Sequence, residues 1–306
     1  MNHLHPKFLA VFATLCLSIM SLDARAEVAP EPSIDQRIEF YSNKLAQHPT
    51  LFVVHTQLAA AYLDKAREDL HPKWLKLAEQ SLQESLKIYP NFDAYKGLEV
   101  LNAYRHRFAD ARKWGELALD TFREDYEVQA LLVEADLGLG EICKAEKRLP
   151  PLTSDTEQFH IAVAMANVLK AKHQYEEARK KFLLAEQLAR VQGYPYLTLW
   201  ARTNAAGMLI DSGHAQAARA DLEAATKMRK GDSILRIHWA EYHEAVGEPE
   251  KALGIMESLL EDAPFNPSYH YRAYLLAKKL GDQQKTKLHY DGTEKGYLLP
   301  LEQGEI

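Results

Sequence analysis

The chain has 306 residues, of which 47% are hydrophobic and 26% charged. That is enough apolar material for a continuous core and too much for a disordered tail. The formal net charge of −6 excludes the broad basic face that nucleic-acid binding requires.

The first 26 residues differ from the rest. Lys7 gives a basic start, residues 8–20 are uncharged and apolar, and Ala24-Arg25-Ala26 puts small residues at the two positions a signal peptidase reads. This pattern predicts a Sec-type signal peptide cleaved after Ala26, because the apolar run is too short for an ordinary membrane span. An uncleaved N-terminal anchor is the alternative. The expected location is therefore periplasmic or secreted, with no integral membrane segment once the leader is removed. Cleavage would also remove Cys16 and leave Cys143 as the one thiol, so no internal disulfide is expected. Cys143 lies between Ile142 and Ala145 in an apolar stripe and is expected to be buried.

Further along, one feature recurs. A small or turn-forming residue is followed, five positions later, by an alanine that opens an amphipathic run: His106 and Ala111, Gly140 and Ala145, His173 and Ala178, Gly213 and Ala218, Gly247 and Ala252. The alanines are spaced by 34, 33, 40 and 34 residues, with an earlier copy at Ala78 and a later turn at Gly281. Four residues after the alanine stands a large apolar side chain (Leu82, Leu149, Phe182, Leu222, Met256). Seven after it stands a small one (Ser85, Ala118, Ala185, Ala225). Small, large and small again at these steps describes a helix face that presses closely on another helix.

This spacing resembles the tetratricopeptide-repeat (TPR) family, in which each unit of about 34 residues is a pair of antiparallel helices. The resemblance covers residues 51–290. It implies an all-α chain, a right-handed superhelical solenoid of antiparallel helix pairs. The boundaries expected are a signal peptide at 1–26, an N-terminal capping segment at 27–50, about six to seven repeats over 51–292, and a polar C-terminal tail at 293–306. The capping helix is expected at 34–47, with Ser33 as N-cap and Gln36 placed to close a capping box. First helices are expected near 51–70, 93–105, 127–138, 158–172, 196–212, 233–246 and 267–280. Their partners are expected near 72–89, 109–122, 144–149, 175–190, 215–228, 249–262 and 282–290.

Three departures stand out. The first unit carries seven extra residues, two helical turns, so both of its helices should be about one turn longer. This unit reads Tyr62-Leu63-Asp64-Lys65-Ala66-Arg67, similar to a lengthened pattern in secreted bacterial TPR proteins of unsettled function. In the third unit, Pro150-Pro151 must stop or kink a helix where the other units are mid-helix. It is read as a packing defect covered by neighbours or as a hinge. The 40-residue interval carries a Gly/Pro loop at residues 190–195.

Catalytic signatures are missing: the sequence has no Gly-rich phosphate loop, nucleophile elbow or His-Glu-x-x-His. His238 and Glu241 share a helix face, but His243 points elsewhere, so no metal site and no cofactor are expected. Family resemblance places the partner on the groove formed by the first helices. The residues expected to line that groove include Lys96, Glu134, Asn167, Lys170, Asn204, His238, Glu241, Tyr271 and Arg272. Asn167 and Asn204 fall on the asparagine positions of the carboxylate clamp that some family members use. Val163, Ile234 and His238 replace its cations, so a mixed apolar and polar groove for an extended or helical peptide is expected instead. The reading is a non-enzymatic scaffold or adaptor that binds an unidentified protein or peptide. The alternatives are a self-associating component of an envelope assembly, which makes the chain a possible homo-oligomer, and a metal-carrying accessory protein.

Overall fold

The structure, a computed structural model, describes residues 32–69, 73–150 and 158–302. The chain divides into two units, Met1–Ser33 and Ile34–Ile306. The signal segment and its cleavage point lie outside the described residues. All helices of the description belong to the second unit: α1 (Ile34–Gln47), α2 (Phe52–Asp69), α3 (Lys73–Ile88), α4 (Phe92–Tyr104), α5 (Phe108–Thr121), α6 (Tyr126–Gly138), α7 (Ile142–Arg148), α8 (Phe159–Ala171), α9 (Tyr175–Val191), α10 (Pro195–Asp211), α11 (Ala215–Met228), α12 (Ser233–Ala245), α13 (Pro249–Asp262), α14 (Pro267–Leu280) and α15 (Gln283–Glu302). Among the described residues there is no strand. Each helix packs on its neighbours in sequence, and first helices also touch across units, α2 on α4, α4 on α6, α6 on α8 and α10 on α12. Contacts are therefore local along the chain, as a stacked solenoid requires.

From α4 onward, the turn within each pair is set by one residue in the left-handed region. His106 (φ 54°), Gly140 (76°), His173 (58°), Gly213 (82°), Gly247 (85°) and Gly281 (75°) all adopt it. The next residue then donates its N–H five residues back, as in Arg107 to Asn102 O, Glu141 to Asp136 O and Glu248 to His243 O, at 2.8–2.9 Å. This is the Schellman closure of a helix, which satisfies carbonyls the helix would leave open. At His173 a side chain occupies a region that disfavours it, and its Nδ1 lies 2.8 Å from the Tyr175 hydroxyl.

The recurring alanines are the closest points of helix approach. Ala78, Ala111, Ala145, Ala178, Ala218 and Ala252 are all fully buried. Behind them Leu82, Phe182, Leu222 and Met256 fill the core, and Ser85, Ala118, Ala185 and Ala225 leave room for the next helix. Ser85 is buried with its hydroxyl donating to Phe52 O at 3.0 Å, so its polarity is satisfied across the first pair.

The first unit is longer, as its sequence implies, with 18 residues in α2 and 16 in α3 against 13 in α4 and 14 in α5. In the third unit α7 has seven residues and ends two positions before Pro150. Pro151 lies outside the described residues. With Ala145 as its one buried residue, α7 is held by charge. Asp136 of α6 is fully buried and is bonded by Arg112 at 3.1 Å and Arg148 at 2.5 Å, with Lys144 at 3.5 Å. Arg112 also reaches Glu141 at 2.7 Å, and Arg148 reaches Glu116 at 2.7 Å. Three helices are thus tied to one carboxylate.

The structure corrects three expectations. Cys143 is exposed: Ala145 takes the core position of α7, and two residues turn a helix by about 200°. The extra residues of the 40-residue interval lengthen α9 and α10 to 17 residues each. What remains of the expected 190–195 loop is a three-residue turn around Gly193 (φ 76°). The polar tail expected from Thr293 continues α15 to Glu302. There Gly296 packs so tightly that a Cβ would sit 2.6 Å from Phe265 O.

Glu99 of α4 is fully buried against Gly115 and Leu132, and neither carboxyl oxygen has a hydrogen-bond partner. Burial pushes its pKa up to about 9, against the opposing pull of Lys96. The folded chain therefore keeps a proton that the unfolded chain releases near pH 4.5. Stability is full below that value and falls as pH rises towards about 9. In urea titrations Glu99→Gln should abolish most of this decline, so the gap between variant and wild type widens from pH 5 to pH 9. Asp136→Asn should cost about 1–3 kcal/mol, because the amide replaces a charged acceptor in the bonds made by the half-buried Arg112 and Arg148; thermal denaturation measures it.

Candidate interaction groove

The first helices α2, α4, α6, α8, α10, α12 and α14 carry the residues expected to meet a partner. The structure brings six of these nine residues (Lys96, Glu134, Asn167, Lys170, Glu241 and Arg272) into pairs between adjacent units and does not gather them at one point. Lys96 of α4 reaches Glu127 of α6 at 2.6 Å and Asp125 at 3.5 Å. Burial works against its charge, yet the two carboxylates outweigh this and raise its pKa. His160 at the start of α8 senses the same cluster, and burial, only partly offset by Glu127, lowers its pKa.

Asn167 of α8 donates to Glu134 Oε1 of α6 at 3.2 Å. Burial raises the Glu134 pKa, and the Asn167 amide pulls the other way. Lys170 is exposed and pairs with Asp211 of α10 at 3.3 Å. Asn204 turns back on its own helix, donating to Trp200 O at 2.8 Å. His238 of α12 is buried, its Nδ1 2.6 Å from Glu241 Oε2, and Gly207 of α10 is what lets the ring sit there (a Cβ would approach its Cε1 to 2.7 Å). Glu241 also accepts from Arg272 of α14 at 2.7 Å. Burial would raise the Glu241 pKa, but His238 and Arg272 together bring it down to about 2. Tyr271 projects with half its surface exposed and lies against Tyr274.

Asn167 and Asn204 therefore spend their amide N–H groups inside the protein, and no cationic clamp forms around them. The partners Asp125, Glu127 and Asp211 escaped the sequence reading. A signal existed for two of the links: Lys96 to Glu127 and Glu241 to Arg272 are each 31 residues apart, just under one repeat.

Known structures decide the fold. A tetratricopeptide repeat protein from Parabacteroides merdae matches 79% of this chain over 92% of its own, with a TM-score of 0.61 and 14% identity. A thermophilic TPR protein of Thermus thermophilus matches 61% of this chain over 98% of its own, with a TM-score of 0.54 and 19% identity. The chain has the tetratricopeptide-repeat fold. No protein-family model matches the TPR chain. Among curated proteins, cellulose synthase operon protein C of Xanthomonas axonopodis pv. citri is 27% identical over 135 residues. That match spans 44% of this chain and only 9% of the longer protein. Among the described residues no helix of the TPR chain is long and apolar enough to cross a membrane.

The Glu241 geometry has a measurable signature. A carboxylate held near 2 stabilises the fold above pH 4.5 and loses that contribution as pH falls through 2. Arg272→Ala should destabilise the chain by about 1–3 kcal/mol at pH 7. The difference from wild type should shrink steadily in chemical denaturation series run from pH 5 to pH 2.

Proposed function

We propose that this TPR chain is a non-enzymatic scaffold outside the cytoplasm, and that it holds an extended or helical peptide segment of a protein partner in the groove of its first helices. The observation that carries this reading is the pairing of groove side chains across successive units: Lys96 with Glu127, Asn167 with Glu134, and Arg272 with Glu241. Such pairs fix the groove's polar groups in place before a partner arrives, which lowers the ordering cost of binding. Exposed Tyr271 and Leu275 supply apolar contact on the last first helix. The TPR fold supports a protein partner, and function rests on the groove because fold alone does not define it. The signal-peptide pattern of residues 1–26, a basic Lys7, an apolar run and Ala24-Arg25-Ala26, supports an extracytoplasmic site of action.

The experiment is affinity capture from envelope extract with wild type and an Asn167→Arg/Asn204→Arg variant, both shown to be folded by circular dichroism. Partners that bind the groove should be recovered at least about tenfold less by the variant. Equal recovery of every partner would overturn the groove reading. N-terminal sequencing of the protein from its native source should start at Glu27; an intact Met1 would favour the retained anchor.

A further inference from the structure

A histidine pair joins the last two helices. His270 Nδ1 of α14 and His289 Nδ1 of α15 are 3.3 Å apart. The outer nitrogens of both rings face acceptors. His270 Nε2 lies 3.0 Å from Pro264 O, and a carbonyl can only accept, so this nitrogen carries the proton. His289 Nε2 lies 3.5 Å from Glu257 Oε1, a carboxylate that also takes Lys285 at 2.8 Å.

A neutral imidazole has one ring proton. With both protons on the outer nitrogens, two lone pairs face each other across the 3.3 Å gap, and that arrangement calls for an electrophile. Two nitrogen ligands at about 2.0–2.1 Å from a tetrahedral ion stand about 3.3 Å apart. A ligating histidine typically donates its second N–H to a carbonyl or a carboxylate, which fixes its tautomer. Here one ring faces each kind. His289 is buried, which holds its ring in place beside His270. Gly292 passes beside His270, where a Cβ would come within 2.4 Å of Nδ1; the glycine keeps that ring edge clear.

We propose that His270 and His289 bind a divalent transition-metal ion of the zinc class through their two Nδ1 atoms. No third His, Cys, Asp or Glu joins them among the described residues. The remaining positions therefore go to water or to a donor outside the described residues. Its affinity is modest for that reason. The bound ion staples α15 to α14.

The test uses the full chain without a histidine tag, stripped with chelator and titrated with zinc chloride in a calorimeter. Cobalt(II) serves as a second, spectroscopic probe. Wild type should take up one ion per chain, and zinc should raise its melting temperature. His270→Gln and His289→Gln should each weaken binding at least about tenfold, while His243→Gln, on α12, should bind as wild type does. His270 is only partly buried, so its variant carries the test if His289→Gln fails to fold. Three results would overturn the site: no saturable uptake at micromolar zinc, undiminished binding by His270→Gln, or equal loss in His243→Gln. Nitrogen-15 spectra in which a shared proton joins the two Nδ1 atoms, unchanged by zinc, would overturn it as well.

Discussion

Everything in this chain depends on how closely two helices can approach. Ala78, Ala111, Ala145, Ala178, Ala218 and Ala252 have no exposed surface, and each sits where a second helix presses on its partner. A larger side chain there would push the pair apart and force neighbouring side chains off their rotamers. The error would then pass to the next unit, because each pair is the platform on which the following one stacks. Two glycines inside helices obey the same constraint. Gly115 admits Glu99, and Gly207 admits the His238 ring. Close packing also positions polar groups: the His238 ring that Gly207 admits stands beside Glu241, which in turn accepts from Arg272 of α14.

Where the packing rule weakens, charge takes over. The shortened α7 buries one alanine, and its place is secured by the cations around Asp136. A buried carboxylate needs counter-charge and hydrogen bonds together to remain ionised, and Arg112, Arg148 and Lys144 supply both. Glu99, one helix pair away, has no such partners, so its burial favours the protonated form. Two acids in adjacent units therefore meet burial in opposite ways.

Most of the fold was legible because its determinants are local. The turn residue, the alanine five positions on and the core residue four beyond that recur within a single unit. Helices α11, α13 and α14 begin and end where their sequence predicts, at Ala215 and Met228, at Pro249 and Asp262, and at Pro267 and Leu280. Cys143 was misread because its apolar neighbours hide which side of a seven-residue helix faces inward. The end of α15 was misread because polar residues after Tyr290 look like a tail, whereas Gly296 packs them against the connection before α14. In the groove, residue types and positions could be projected from the repeat, but the partners each side chain chose could not. Asn204 bonds its own helix while Asn167 reaches across to another, and that choice depends on rotamers and on which acid stands one unit away. The pair His270 and His289 lies 19 residues apart on two helices, a spacing that matches neither a helical turn nor a repeat.

The shortened α7 also bears on how the molecule comes apart. In a linear stack, cooperativity is transmitted only through contacts between neighbouring units, so the chain unfolds as one body only if every junction is strong. At the shortened helix, α6 and α8 touch directly through an apolar cluster that includes Val133, Ile161 and Val168, with Ala145 of α7 packed into it, much as α9 and α10 share Phe182, Ala185 and Ala201. The segments before and after α7 are therefore coupled past it, and the ion pairs around Asp136 add to a junction that α6 and α8 already make.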